Sequence, residues 1–353
     1  NCFWVNLPFE DEDPNPSSRK TGAGAMMRTW CSPCTSKSMG KTRNERKGIG
    51  RRIRAVQEER RSADLSAKLT LPGIRESLLR QEDSIIFGLL MRAQFQHDDV
   101  IYQPGAVPVP GFDAKGNRMS LLDYVLRETE QMHGKLRRYT SPDEHPFFPE
   151  DVPALVLPPL QYPKVLQDGS ETLNINDTVK KMYTHILIQD ITEPGDDNNH
   201  GSAVMEDVFC LQALSRRIHY GKFVAEAKFR DNQDIYLPLI QEQDAQGILD
   251  ALTYLDQEQR VVERVRTKAA IFGRDVRPSS NSMPDPSEQA DAYKIHPDKV
   301  ASLYAQWVMP LTKVVQVEYL LHRLPGCSER LGESTWLKSE VAKYDGMMHI
   351  TGH

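Results

Sequence analysis

The segment SRRIHYGKFVAEAKF, residues 215–229, constrains the fold of this 353-residue chain more than any other. Its pattern predicts one helix with Arg217 and Lys228 eleven positions apart, which is about three turns and about 16 Å of rise along one face. The apolar residues form no single stripe, so we expect the helix to be buried on more than one side. Two buried cations need anions. A small ligand with two negative charges would satisfy both, and ordinary internal ion pairs, for instance with Glu226, are the alternative.

Composition bounds the class of protein. The net charge is −5, the hydrophobic fraction is 39%, and the mean hydropathy is −0.53. No apolar run approaches the ~18 residues that span a bilayer, so we expect no membrane segment. The acidic balance gives no argument for a nucleic-acid partner across the whole chain. The length allows one large domain or two modest ones.

Cysteines and histidines give no evidence for a metal site. The five cysteines do not form the pattern of a disulfide framework. Cys31 and Cys34 have the spacing of half a metal knuckle, but the sequence contains no second half. The ten histidines are scattered and include no HExxH motif. We therefore expect neither a metal nor a cofactor.

The two ends of the chain differ from its middle. Residues 26–57 carry nine lysines or arginines against one acid, so residues 1–64 are predicted to be a disordered basic leader, a composition typical of an organelle transit peptide. A nucleic-acid-binding arm is an alternative, although no aromatic residues are interleaved with its cations. A tail without function is another. Residues 326–353 are polar and show no evident periodicity, which predicts a disordered tail.

Residues 65–325 are predicted to form one all-α domain, a multi-helix bundle, because helical periodicity recurs and no strand-rich region or repeat is present. Prolines and turn formers predict loops at 103–116, 141–149 and 277–291, and Pro310 predicts a kink. The predicted helices span residues 74–95, 119–139, 176–190, 215–229, 235–241, 244–254, 256–272 and 297–324.

Four segments carry a family resemblance. They are IRESLLRQEDSIIF at 74–87, RRYTSPDEHPFFP at 137–149, NNHGSAVMEDVFCLQALSRRIHYGKFVAEAKF at 198–229 and MPLTKVVQVEYLLHRL at 309–324. In this order they resemble the eukaryotic chorismate mutases of fungi and plants, the large all-helical AroQ type. The resemblance implies an isomerase that rearranges chorismate to prephenate, in the shikimate-derived biosynthesis of phenylalanine and tyrosine. The [3,3] shift requires no metal, cofactor or covalent intermediate.

The resemblance also implies the catalytic residues. Two arginines match the family's carboxylate ligands, a lysine matches the donor to the ether oxygen, an acid matches the group that holds the substrate hydroxyl, and two residues match the last wall of the site. In that order they are Arg75 and Arg217, Lys228, Glu258, and Thr312 with Gln316.

Two departures from the fungal pattern affect these expectations. Fungal members have a glutamate in place of Gln316, and that glutamate must be protonated to donate to the ether oxygen. An amide donates at any pH, so we expect little loss of turnover between pH 5 and 8. Tyr254 replaces an asparagine near the substrate hydroxyl and is left out of the predicted site.

Regulation is implied as well. In the family, tyrosine inhibits and tryptophan activates at a site shared across a homodimer, and phenylalanine is a further candidate effector. The matching positions are Arg137 and Arg138 on one chain and Asn198, Asn199, Gly201 and Ser202 on the other. Met205 and His296 differ from the fungal pattern, which leaves the strength and identity of the response open.

Two questions stay open at this point. A basic leader before a core of the plant type favours the chloroplast stroma, with the cytoplasm as the alternative. The rival function is a catalytically inactive dimeric sensor of aromatic amino acids with the same fold. Formation of prephenate by the purified protein separates this sensor from an enzyme. Neither interpretation includes a nucleic-acid or membrane partner.

Overall fold

The computed structural model describes residues 71–108, 119–160, 162, 164–274, 293–325 and 329–351, so the predicted leader at 1–64 lies outside the described residues. This part of the chain contains helices and two isolated bridges but no strand, and the all-α prediction is confirmed. The helices are α1 (Leu71–Arg92), α2 (Leu121–Lys135), α3 (Asn176–Met182, Tyr183–Leu187 and Ile188–Ile191), α4 (His200–His219), α5 (Gly221–Asp231), α6 (Gln233–Gln241), α7 (Ala245–Leu252), α8 (Leu255–Phe272), α9 (Pro297–Leu303, Tyr304–Val308 and Met309–Leu321) and α10 (Thr335–Thr351).

Helix α4 lies at the centre of the bundle. It packs against α1, α2 and α9, and α9 also packs against α5 and α8. The core between these helices contains fully buried side chains such as Leu89, Leu211 and Val315. Among the helices that the structure describes, none is long and apolar enough to cross a membrane. The packing places the last turn of α4 and the middle of α9 side by side in the interior.

The prediction of one helix over residues 215–229 is wrong. Helix α4 ends at His219 and α5 begins at Gly221, with Tyr220 between them. A Cβ at Gly221 would lie 2.8 Å from the Thr312 carbonyl oxygen, so only glycine lets α5 approach α9 this closely. Arg217 and Lys228 therefore lie on two successive helices rather than on one face of a single helix.

Helix α9 carries the family motif at residues 309–324. Its middle, Tyr304–Val308, is a π-helical turn, and Pro310 follows two residues later. Because proline has no N–H to give to the preceding turn, a local change in hydrogen bonding is expected here. The helix then continues to Leu321 and presents Thr312 and Gln316 to the interior.

The prediction of a disordered tail over residues 326–353 is wrong for residues 335–351, which form α10. This helix packs against α3 and α9. Beside the partly buried Trp336, its buried or partly buried apolar side chains include Leu337, Val341, Tyr344 and Met348. They recur at i, i+4, i+7 and i+11, so one apolar stripe faces the core.

A buried carboxylate fixes the chain just before α10. Glu318 on α9 is fully buried, and it accepts hydrogen bonds from the Gly332 N–H (2.9 Å) and from the Ser334 hydroxyl (2.6 Å). The Ser334 hydroxyl also accepts from the Leu337 N–H at 3.0 Å, which satisfies one of the free donors of the first turn. The folded core therefore extends beyond the predicted domain end at 325. Its start near residue 65 stays a prediction.

Candidate active site and effector surface

Arg217 is a buried cation without an acidic partner among the described residues. It lies in the last turn of α4 and is 5% exposed. Its Nη1 donates to the Thr312 hydroxyl at 3.3 Å, its Nε has no partner, and no carboxylate of the described residues forms an ion pair with it. Burial lowers the pKa of Arg217. The fold therefore disfavours this charge, and an incoming anion would stabilise it.

Thr312 and Gln316 form the wall beside Arg217. The Thr312 hydroxyl donates to the Val308 carbonyl at 2.5 Å, so it meets the guanidinium as an acceptor. The Gln316 Nε2 donates to the Thr312 carbonyl at 3.3 Å, while its Oε1 is buried without a partner. Native structures rarely leave buried polar atoms unpaired. The orphaned atoms of Arg217 and Gln316 therefore indicate a place for a polar ligand.

Lys228 belongs to the same neighbourhood. Its Nζ donates to the Leu252 carbonyl at 2.7 Å. Burial lowers the pKa of Lys228 to about 8; Glu258 opposes this shift, and the charges of Lys313 and Arg75 add to it. Glu258 itself is paired with Lys313 at 2.6 Å. Arg75 is exposed near the start of α1, yet close enough for its charge to act on Lys228.

The structure thus brings the predicted residues together in two connected groups. Thr312 is hydrogen-bonded to both Arg217 and Gln316, and the charges of Glu258 and Arg75 both act on Lys228. Lys313 joins the groups because it follows Thr312 in α9 and pairs with Glu258. We refer to the six residues that the sequence predicts to be catalytic, together with Lys313, as the catalytic cluster, a name taken from that prediction.

Sequence reasoning missed two contributors to this cluster. Lys313 follows Thr312 directly, and the need of Glu258 for a counter-charge is the signal that could have indicated it. Tyr254 was left out, but its ring lies over the Lys228 ammonium with 4.8 Å between Nζ and the ring centroid. A single sequence gives no sign of that contact.

Two carboxylates that could have paired with Arg217 or Lys228 are bonded to other cations. Glu226, the ion-pair partner considered as the alternative, accepts from Arg230 and Arg323, each at 2.7 Å, and that alternative is wrong. Glu82 lies close enough to affect Arg217 electrostatically, but it is paired with Arg264 at 2.6 Å and Lys268 at 3.2 Å. The catalytic cations therefore keep their capacity for an external anion.

The predicted effector arginines lie on a different surface and have internal partners. Arg137 adopts a left-handed backbone (φ 75°) and its Nη1 donates to the Pro158 carbonyl at 2.8 Å. Arg138 donates from Nε to Glu144 at 3.0 Å and from Nη1 to the Gln212 side-chain oxygen at 2.5 Å. Both arginines are half-buried.

The other predicted effector residues lie at the start of α4. Asn198 has a left-handed backbone (φ 60°), and Asn199 precedes the helix without a side-chain cap. Gly201 and Ser202 are exposed in the first turn. Gln212, which contacts Arg138, is ten residues further along α4, or about 15 Å at 1.5 Å per residue. One chain therefore does not bring the two predicted groups together.

An apolar face lies between these groups. We define it by five exposed side chains on α1, α4 and α8, which are Phe87, Met91, Met205, Phe209 and Phe272. The rings of Phe87 and Phe272 stack at 4.8 Å between centroids. A Cβ at Gly88 would lie 2.8 Å from the Phe209 ring, so α1 and α4 are in close contact here. Exposed apolar clusters of this kind mark interaction surfaces.

Fold and site together define an all-helical protein with a buried arginine and a half-buried lysine on successive helices of its interior. The sequence profile of the family "Chorismate mutase type II" matches residues 205–317. Chorismate mutase 3, chloroplastic, of Arabidopsis thaliana is 50% identical over 262 residues, which cover 74% of this chain and 80% of the relative. The chain belongs to the chorismate mutase family and is an isomerase of that type, as the sequence predicted.

Solved structures agree. AtCM1 with phenylalanine bound in its allosteric site is 46% identical, with a TM-score of 0.65 and coverage of 74% of this chain and 98% of that one. Aro7p chorismate mutase from Candida albicans in complex with L-Trp is 38% identical, with a TM-score of 0.65 and coverage of 77% and 96%. Relatives carry both chloroplastic and cytosolic names. These matches favour the enzyme over the inactive sensor.

Proposed function

We propose that the catalytic cluster binds chorismate and converts it to prephenate. Arg75 and Arg217 bind the two carboxylates, and Glu258 holds the hydroxyl group. Lys228 and Gln316 donate to the ether oxygen as the C–O bond breaks; Gln316 has a second N–H beside the one bonded to Thr312. The observation that carries the proposal is the buried Arg217 without a carboxylate partner.

The physical basis is preorganisation. The reaction needs no proton transfer or nucleophile, so the barrier falls through a restricted substrate conformation and stabilised charge. Negative charge grows on the ether oxygen, and a donor fixed at that atom binds the transition state more strongly than the ground state. Thr312 supports this by holding the Arg217 guanidinium before the substrate arrives.

Lys228→Ala tests the proposal. Loss of chorismate absorbance would be followed with purified wild type and variant, and we expect kcat to fall by about 10²–10³-fold or more. Lys299→Ala, an exposed lysine outside the cluster, is the control. A thermal melt checks that the fold survives. Activity within a few-fold of wild type in Lys228→Ala would refute the role assigned to Lys228. An inactive wild type would favour the alternative function, the sensor of aromatic amino acids.

We also propose that an aromatic amino acid binds between Arg137 and Arg138 of one chain and residues 198–202 of a second copy. Related structures hold phenylalanine, tyrosine or tryptophan. An arginine suits the effector carboxylate, and the uncapped first turn of α4 has N–H groups for polar atoms. The 15 Å separation within one chain supports a shared site.

The second copy is proposed to cover the apolar face. Gly201, Met205 and Phe209 recur every four residues along α4, so the face is continuous with the proposed effector residues. Phe209→Glu should convert a dimer to a monomer in sedimentation experiments, because a charge would be buried in an apolar interface. Val156→Glu, at another exposed apolar residue, should not. A monomeric wild type would contradict the proposal.

The proposed location is the chloroplast. The relative named chloroplastic is 50% identical, whereas the maize relative named cytosolic is 40% identical, and residues 26–57 have the basic composition of a transit peptide. Fusion of the leader to a fluorescent protein should direct it to plastids. Diffuse cytosolic fluorescence would favour the alternative.

A further inference from the structure

The end of α7 and the connection to α8 make two contacts with the ammonium of Lys228. The Leu252 carbonyl accepts a hydrogen bond from Nζ at 2.7 Å. Two residues later, the Tyr254 ring lies with its centroid 4.8 Å from the same Nζ. This distance is within the ~6 Å over which a cation is attracted to the face of an aromatic ring. A single short segment therefore supplies both contacts.

In the part of the chain that the structure describes, the two groups that contact the Lys228 ammonium are neutral, although a carboxylate is close. Glu258 affects Lys228 electrostatically, but its Oε1 pairs with Lys313 at 2.6 Å. An ammonium has three N–H donors. The Leu252 carbonyl uses one, and the ring attracts the charge through its face without accepting a conventional hydrogen bond. A donor thus remains for another acceptor.

Neutral partners suit a lysine that must stabilise developing negative charge. A direct ion pair with Glu258 would neutralise the ammonium and would have to be broken or shared in the transition state. An aromatic face holds the cation in place without that competition. The Tyr254 carbonyl also accepts the Glu258 N–H at 3.0 Å, so the same residue fixes the first turn of α8 that carries Glu258.

We propose that Tyr254 is a positioning residue for catalysis, whose ring holds the Lys228 ammonium towards the substrate and away from Glu258. The inference rests on the proposed role of Lys228 and adds a residue that the sequence comparison had set aside. The ring acts through its π face, and the phenol hydroxyl is not required. Tyr254 is 47% exposed, so replacement of its side chain leaves the core intact.

Three variants at position 254 test the inference by steady-state kinetics. Tyr254→Phe keeps the ring and should retain kcat within about twofold. Tyr254→Leu keeps apolar bulk without a π face and should lower kcat about tenfold, with KM changed less than about threefold, because the ammonium loses the cation–π attraction that holds it. Tyr254→Trp should match or exceed Tyr254→Phe. Leu255→Ala, at the exposed neighbour, is the control and should behave as wild type.

Each other outcome overturns the inference. Full activity in Tyr254→Leu would show that the ring has no role, and equal losses in the Phe and Leu variants would assign the effect to the hydroxyl. A change confined to KM would make Tyr254 a substrate contact. The result is separable from the proposed function: if Lys228→Ala is inactive and Tyr254→Leu is not, only the positioning role fails.

Discussion

The catalytic cluster and the effector arginines use the same type of side chain in opposite states. Arg217 is buried and has no acidic partner within the described residues, whereas Arg138 is half-buried and already bonded to Glu144 and Gln212. A buried, unpaired cation is ready for a carboxylate, and the fold bears the cost of its desolvation in advance. A paired cation must exchange partners, which weakens binding and suits a ligand that comes and goes. On the proposed roles, preorganisation distinguishes the catalytic site from the effector site.

The largest effect on activity is expected at Arg217, and its neighbour Arg216 serves as the control. Arg217→Met should lower kcat/KM by about 10³-fold because a carboxylate loses its partner in a buried site. The same variant should melt no lower than wild type, since the fold disfavours the charge that is removed. Arg216→Met is the matched control. Arg216 pairs with Asp143 at 2.6 Å and is partly exposed, so we expect it to lose about 1 kcal/mol of stability while kcat/KM changes only a few-fold.

Activity assays and thermal melts of the two variants decide the matter. If Arg217→Met is markedly less stable than wild type, the buried guanidinium is a structural group rather than a preorganised binding group. Similar losses of activity at 216 and 217 would remove the contrast between a paired and an unpaired cation on one helical turn.

The second effect concerns pH. Wild-type kcat/KM should be flat from pH 5 to 7 and fall as the pH rises through about 8, because burial lowers the pKa of Lys228 to about 8 and the neutral amine lacks the charge that stabilises the ether oxygen. Bound dianionic substrate favours the charged lysine, so kcat should stay level to about pH 8. Gln316→Glu should lose at least about tenfold in kcat between pH 5 and 8, since only a protonated carboxyl donates.

Full pH profiles of both proteins provide the measurement. A wild-type kcat that falls steeply between pH 5 and 7 would contradict the role of Gln316. Parallel profiles for wild type and Gln316→Glu would place residue 316 away from the ether oxygen.

A smaller effect is expected at the predicted effector arginines. If tyrosine must displace the internal partner of Arg138, removal of the arginine and removal of that partner should change the affinity for tyrosine in opposite directions. Arg138→Ala should raise the tyrosine concentration needed for half the effect by about tenfold, because a charge-assisted contact is lost. Glu144→Gln should lower that concentration a few-fold, because the internal competitor for Arg138 is weakened. Initial rates over a series of tyrosine concentrations, each divided by the rate without tyrosine, give the half-effect concentration of each variant. A rise in the half-effect concentration of both variants would mean that Glu144 supports the binding geometry instead of competing for Arg138.

Features that depend on local interactions could be predicted from the sequence, and features that depend on contacts between distant residues could not. The all-α class and most helices followed from apolar periodicity, which is local. The break at Gly221 depends on the Thr312 carbonyl, and the Lys313–Glu258 pair joins residues 55 positions apart, so neither is visible in local sequence. Helix α10 was missed for another reason. The apolar stripe of this helix is present in the sequence, but the polar residues between its members give the tail a composition that is typical of disorder.

The smallest effect on activity is expected in α10, which contributes no residue to either region. Leu337 is 4% exposed, and Leu337→Ala should lower the free energy of unfolding by about 2–4 kcal/mol through a cavity against α3 and α9. Ser339→Ala, at an exposed position of the same helix, should leave stability unchanged within about 0.5 kcal/mol. Urea unfolding measures both, and kcat below the transition should equal that of wild type. If Leu337→Ala left stability unchanged, α10 would not belong to the cooperative core of the domain.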